Sequence, residues 1–255
     1  MSDTTTYEHP MNERMRSFLR LEYLFDRAQY HTEKPSHWDS SAALDNILII
    51  LDMINRKDIR KELLHEIDRL TKSFLQLSSV PEVDNSLLEL VLHELNELQG
   101  ELQILQSLIA PKLRKNPFIT TMAKRFAIPN SLLATDLPVA HHWFSASSER
   151  RHQDLSSWLD YLSFTRNAIA LVLQLVRHST PSCYKTAING IYHQSMDAHT
   201  VCQLVQVSTV SSVPYYVEIS GGKHRFTVRF IESDDNQIVL PFSQNVNFQL
   251  ACCTL

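Results

Sequence analysis

Two histidine–glutamate pairs are where metal chemistry would be sought first. His65-Glu66 and His93-Glu94 each open a His-Glu-x-x-His pattern, in which two imidazoles one helical turn apart hold zinc and the glutamate serves as base. The closing positions are Arg69 and Glu97, so both patterns fail. His141 and His142 are adjacent, which turns them to different sides of a helix, and they read as packing or surface residues. The thiols Cys183, Cys202, Cys252 and Cys253 form no Cys-x-x-Cys clip and read as reduced, as in a cytosolic protein. Only four glycines are present, and no Gly-x-x-x-x-Gly-Lys, Gly-x-Gly-x-x-Gly or Gly-x-Ser-x-Gly motif occurs. No catalytic residue, metal or cofactor is expected, and the chain does not read as an enzyme.

A basic strand carries more information. In Lys223-His224-Arg225-Phe226-Thr227-Val228-Arg229-Phe230, period-two alternation sends Phe226, Val228 and Phe230 toward a core. Lys223, Arg225, Thr227 and Arg229 then point the other way. Three cations within about 20 Å on one face repel one another unless something anionic lies across them. A solvated outer face is the plainer reading, but the guanidinium fork at two of the three positions suits carboxylate recognition.

Charge is segregated elsewhere too. Between Lys72 and Lys112 there is no Lys or Arg, while Glu82, Asp84, Glu89, Glu94, Glu97 and Glu101 fall in that span. Arg14, Arg16, Arg20 and Arg27 precede it, as do Arg56, Lys57, Arg60 and Lys61; Lys112, Arg114 and Lys115 follow. A net charge of −4 and a pI near 6.3 thus conceal patches of both signs, which fits protein–protein recognition better than nucleic-acid binding. The polar N-terminus lacks a signal peptide's basic and apolar regions, and no run approaches the roughly 18 apolar residues that span a bilayer. A cytoplasmic chain with no membrane insertion is expected.

The elements that must hold these residues divide in two. The glycine-poor stretch to about residue 182 predicts a helical domain, and residues 183–255 a β-strand domain. The fold class is α+β: an N-terminal all-helical domain with a long helical hairpin, followed by a small antiparallel sheet. Asn12 is a candidate cap for a first helix carrying Met15, Phe18, Leu19 and Phe25. A second helix runs from about Asp39 to Asn55. Leu63, Ile67, Leu70, Phe74 and Leu77 recur in heptad steps, as do Leu88, Val91, Leu95, Leu98, Leu102, Leu105 and Ile109 beyond Pro81 and Asp84. This predicts a rigid coiled-coil hairpin whose second helix is about 35 Å long at 1.5 Å per residue. Asn116-Pro117 reads as a cap and first residue of a helix ending near Phe126, with Pro129 and Pro138 bounding a loop. Helical spacing resumes from Ser148 to Val176. Strands are predicted over 201–207, 215–220, 224–231, 238–242 and 246–252, with Gly221-Gly222 forming a tight hairpin.

Several segments stand out together. They are Tyr7-Glu8-His9-Pro10-Met11-Asn12-Glu13-Arg14-Met15-Arg16, Leu19-Arg20-Leu21-Glu22, and Arg60-Lys61-Glu62-Leu63-Leu64-His65-Glu66-Ile67-Asp68-Arg69 with Val80-Pro81-Glu82-Val83-Asp84. Asn189-Gly190-Ile191-Tyr192-His193-Gln194, the Arg225-Phe226-x-x-Arg229-Phe230 strand and Phe248-Gln249-Leu250-Ala251-Cys252-Cys253 complete the set, which spans the chain in order. Together these segments resemble the ZapD family, and the resemblance implies a dimeric, non-enzymatic division protein at the mid-cell division site that binds the C-terminal tail of FtsZ and bundles its filaments. It implies tail-binding roles for Arg16, Arg56, Arg225 and Arg229, to which Arg114 and Lys223 are added as neighbouring cations. Where the family pattern has a further arginine after Leu113-Arg114, this chain has Asn116-Pro117. A purely structural coiled-coil scaffold with no tail site is the alternative.

Overall fold

A computed structural model describes residues 4–78, 83–105, 108–126, 137–196, 201–211, 214–222, 224–233 and 239–254. The architecture is α+β, and the chain divides into two compact units, 1–19 with 173–255 and 20–172. Helices α1 (Glu13–Thr32) and α9 (Ser163–Arg177) contribute to both. Lys223 and Pro81 lie outside the described residues.

The helical unit is built around α2 (His37–Arg56), whose Ala43, Leu44, Ile47, Leu48 and Ile50 are buried. Its sequence is apolar on nearly every side, which suits a helix surrounded by others. Helices α3 (Ile59–Leu77) and α4 (Asn85–Ile104) form the hairpin. Leu63, Ile67 and Leu70 are buried from one side and Leu88, Leu95 and Leu102 from the other, seven residues apart as the heptad requires. Helix α4 ends at Ile104, so Leu105 and Ile109 fall outside it and its 20 residues span about 30 Å.

Side-chain caps set several starts. Asn12 Oδ1 accepts from the Met15 amide at 2.9 Å, Asp84 Oδ1 from Ser86 at 2.9 Å, and Asn116 Oδ1 from Ile119 at 3.1 Å. The last of these opens α6 (Pro117–Phe126), as the Asn-Pro pair predicts. Pro111 and Pro138 instead begin helices α5 (Pro111–Arg114) and α7 (Pro138–Phe144), because a first-turn residue needs no amide hydrogen. The loop expected between Pro129 and Pro138 lies, apart from Leu137, outside the described residues, and Pro138 opens a helix there. Helix α8 (Ser148–Asp160) completes the unit with α9.

Asp45 on α2 is half-buried, and burial pushes its carboxyl up to about 6 although the Arg27 charge opposes this. A raised carboxylate pKa means that the ionised form costs stability above the unfolded value, a cost removed as pH falls through 6 toward 4. Asp45→Asn is therefore expected to stabilise the helical unit by about 1–2 kcal/mol at pH 7, discounted for residual solvent, with the gain vanishing below pH ~4. All three tryptophans (Trp38, Trp143, Trp158) lie in this unit, so thermal melts followed by their fluorescence check the prediction.

The other unit holds two antiparallel sheets where the sequence suggests one. The first is ordered β1 (Thr4–Pro10), β4 (Leu204–Val210), β8 (Val246–Cys253), β2 (Cys183–Ala187). The second is ordered β3 (Ile191–Ser195), β6 (Arg225–Ser233), β5 (Tyr215–Gly222), with β7 (Val239–Pro241) also pairing with β6. The switch between sheets is Asn189-Gly190. Both residues have positive φ, at 50° and 69°, as a type I′ turn demands. A Cβ on Gly190 would lie 2.3 Å from the Phe242 carbonyl oxygen, so only glycine fits. Val205, Val207, Phe248 and Leu250 face Phe226, Val228 and Phe230 in one core, with Phe230 and Phe248 ring centroids 5.2 Å apart.

Strand β1 is held to β4 over its full length, from Thr4↔Val210 to Pro10↔Leu204. Glu8 on β1 receives Arg177 Nε and Nη2 at 2.8 Å each, and Gln206 Nε2 at 2.9 Å. Burial alone would raise the Glu8 carboxyl, but these donors outweigh it and hold it below its usual range.

Candidate functional site

The sheet β3-β6-β5 turns one face to the core and the other to solvent. Phe226, Val228 and Phe230 are at most 1% exposed, while Arg225 and Arg229 are exposed. Pairing across the three strands sets rows on the outer face. Ser195 and Gly222 flank Arg225; His193 and Ser220 flank Thr227; Ile191 and Glu218 flank Arg229. The backbone ladders and the buried phenylalanines fix where the two guanidinium stems emerge, a precision that loops do not offer.

The two arginines are not equivalent. Arg229 Nη1 lies 3.9 Å from Glu218 Oε2, with both side chains about half exposed. Arg225 has no partner among the described residues. It borders an open basin of about 720 Å³ with His193, Ser195, Ser220, Gly222 and Thr227. His193 Nδ1 and Thr227 Oγ1 are 2.9 Å apart, within hydrogen-bonding distance. The basin therefore offers an anion one unpaired guanidinium, the imidazoles of His193 and His224, the Gln194 amide and hydroxyls, while Glu218 partly offsets the charge of Arg229 in the opposite row.

Gly221 and Gly222 lie within β5, paired with Phe226 and Arg225, so the reversal follows them rather than being made of them. A Cβ on Gly221 would fall 2.7 Å from Phe226 Cβ and 3.3 Å from Met11 Cε. The glycine is thus required by close approach, and Met11 brings the start of α1 against this end of the sheet. Arg16, one turn into α1, is exposed and paired with Glu13 at 3.1 Å. Its charge joins burial in lowering the pKa of His9.

Arg56 and Arg114 belong to the helical unit. Arg56 closes α2 and donates to Asp52 Oδ1 at 2.7 Å, while Arg114 is the exposed last residue of α5. The structure brings Arg225 and Arg229 onto one face, as their spacing predicts. His193, Ser195 and Glu218 complete that face and were not legible as site residues. The available signal was the Asn-Gly turn, which fixes the register of β3. Among the described residues no cluster of three or more His, Cys, Asp or Glu could hold a metal, and no helix is long and apolar enough to cross a membrane.

Comparison with known proteins gives a consistent result. The profile of a family described as "ZapD: Cell division protein" matches residues 19–229. The chain is 35% identical over 255 residues to the Methylococcus capsulatus protein named "Cell division protein ZapD", covering all of both chains. Proteins of the same name from Enterobacter sp. and Coxiella burnetii are each 32% identical, with 99% and 100% of this chain aligned and all of theirs.

Proposed function

Because the chain belongs to the ZapD family of cell division proteins, we propose that it is a non-enzymatic adaptor that binds the C-terminal tail of FtsZ. As a homodimer it joins and bundles FtsZ filaments at the mid-cell division site. The observation that carries this reading is the outer face of β6, where Arg225 and Arg229 stand exposed on a sheet locked from behind. Arg16, Arg56, Arg114 and Lys223 are further cations proposed for tail binding, each to be tested singly. Two tail sites per dimer raise avidity, since the second tail binds at an effective concentration on the order of millimolar.

The direct test is co-sedimentation with FtsZ filaments. Full-length FtsZ is expected to carry the protein into the pellet and FtsZ lacking its tail is not; equal pelleting would overturn the reading. A finer expectation concerns Glu218, which competes with the tail for Arg229. Glu218→Gln should tighten tail-peptide binding about two- to fivefold at low salt, the value of an exposed ion pair, and less as salt rises. Fluorescence titration of a labelled tail peptide measures this, and unchanged or weaker binding would remove Glu218 from the site.

A further inference from the structure

The hairpin helix α4 carries a second stripe beside its buried seam. Leu87, Leu90, Glu94, Glu97, Glu101 and Ile104 recur in steps of three and four, about 130° round the helix from Leu88, Leu95 and Leu102. All six are exposed, and Leu87, Leu90 and Ile104 are 61%, 67% and 84% so. Large apolar residues repeated at coiled-coil spacing on an open face mark a contact surface more than a solvated one. The stripe cannot pack on its own copy in antiparallel fashion, because Glu94 and Glu97 would meet Glu97 and Glu94.

The same unit holds its complement. Arg20, Tyr23, Arg27 and Tyr30 on α1, with Lys34 just beyond its end, follow the same three-and-four spacing and are all exposed. Tyr23 and Tyr30 are 60% and 58% exposed, and Lys34 Nζ sits 4.9 Å over the Tyr30 ring. Laid against α4 in either direction, this stripe sets Arg27 on Glu94, a tyrosine on Leu90, and a cation (Arg20 or Lys34) on Glu101. Three of the five facing positions thus pair a cation with an acid or a ring with a leucine, while the remaining cation lies on Leu87 and the other tyrosine on Glu97.

We propose that two copies of this chain associate by seating the α1 stripe of each on the α4 stripe of the other, a self-complementary contact made twice across a two-fold axis. This rests on the homodimer reading above and names its surface.

Sedimentation velocity of the full-length protein tests it. The wild type is expected to sediment as a dimer. Glu94→Arg alone and Arg27→Glu alone should each weaken self-association about tenfold or more, because like charges then face each other in both contacts. Mixing the two single variants should restore dimers, since each contact in the mixed pair again joins opposite charges. The double variant should also dimerise. Restoration on mixing cannot come from misfolded protein, and Arg27→Glu, which also faces Asp45, is checked by its melt. A wild-type dimer indifferent to both single changes would overturn this surface while leaving the homodimer standing. A wild-type monomer would overturn both.

Discussion

Replacing Arg225 by glutamate is expected to weaken binding of the FtsZ tail peptide about tenfold or more at low salt. Arg225 is exposed, has no partner among the described residues, and opens onto a basin of about 720 Å³ whose other polar side chains are two imidazoles (His193 and His224), the Gln194 amide and hydroxyls. Charge-assisted hydrogen bonds there contribute about 1.5–3 kcal/mol when partly desolvated, and less where water competes. Reversal also sets a carboxylate against an acidic ligand, so the loss exceeds that of Arg225→Ala. The fold should tolerate the change, because neighbouring Phe226 is 1% exposed and anchored in the core. Arg229→Glu should cost less, since Glu218 already offsets much of that guanidinium's charge. Lys124→Glu, an exposed change of the same charge on α6, controls for a general loss of positive potential. The readout is titration of a labelled tail peptide at two ionic strengths, with circular-dichroism melts alongside. Wild-type affinity in Arg225→Glu, or equal loss in Lys124→Glu, would mean that the strand face is only solvated.

What the sequence shows of this fold follows from how locally each element is determined. The heptads of α3 and α4, the Asn116-Pro117 start and the alternation of β6 are each written in a few neighbouring residues, and each is found where the spacing puts it, except that α4 stops at Ile104, short of the predicted Leu105 and Ile109. Strand β1 is different. Thr4–Pro10 has no buried residue and no apolar alternation, and it is a strand because its backbone pairs with β4 almost 200 residues later. Strand β2 similarly buries only Ala187. Such strands are fixed by partners, which a local pattern does not reveal. The site divides the same way. Arg225 and Arg229 were legible because strand periodicity places them, whereas His193 and Glu218 become neighbours only through register across three strands.

A second large effect is expected at a residue that no sequence pattern singles out. Arg151, on α8, is 7% exposed. Its Nε donates to Ser40 Oγ at 3.0 Å, Nη2 to the Pro35 carbonyl at 3.1 Å, and Nη1 to the Phe144 carbonyl at 3.3 Å and to that of Ala146. One guanidinium thus ties the segment before α2, the first turn of α2 and the end of α7. The acceptors at the end of α7 carry the negative pole of that helix, which suits a cation without a buried carboxylate. Replacing a buried ionic group by an apolar one of similar size is sometimes neutral, because the desolvation penalty disappears with the charge. Here the acceptors remain. Arg151→Met leaves carbonyls of Pro35, Phe144 and Ala146 without this donor in a site too enclosed for ready replacement by water, so a loss of about 3 kcal/mol is expected. Arg151→Lys keeps the charge but supplies a point donor that cannot reach four acceptors on three segments, and should recover less than half of that loss. Chemical denaturation followed by tryptophan fluorescence reads the helical unit directly, since Trp143 and Trp158 lie on α7 and α8 and Trp38 on α2. A change below about 0.5 kcal/mol for Arg151→Met, the ordinary scatter of surface substitutions, would show that the site collapses or hydrates without cost.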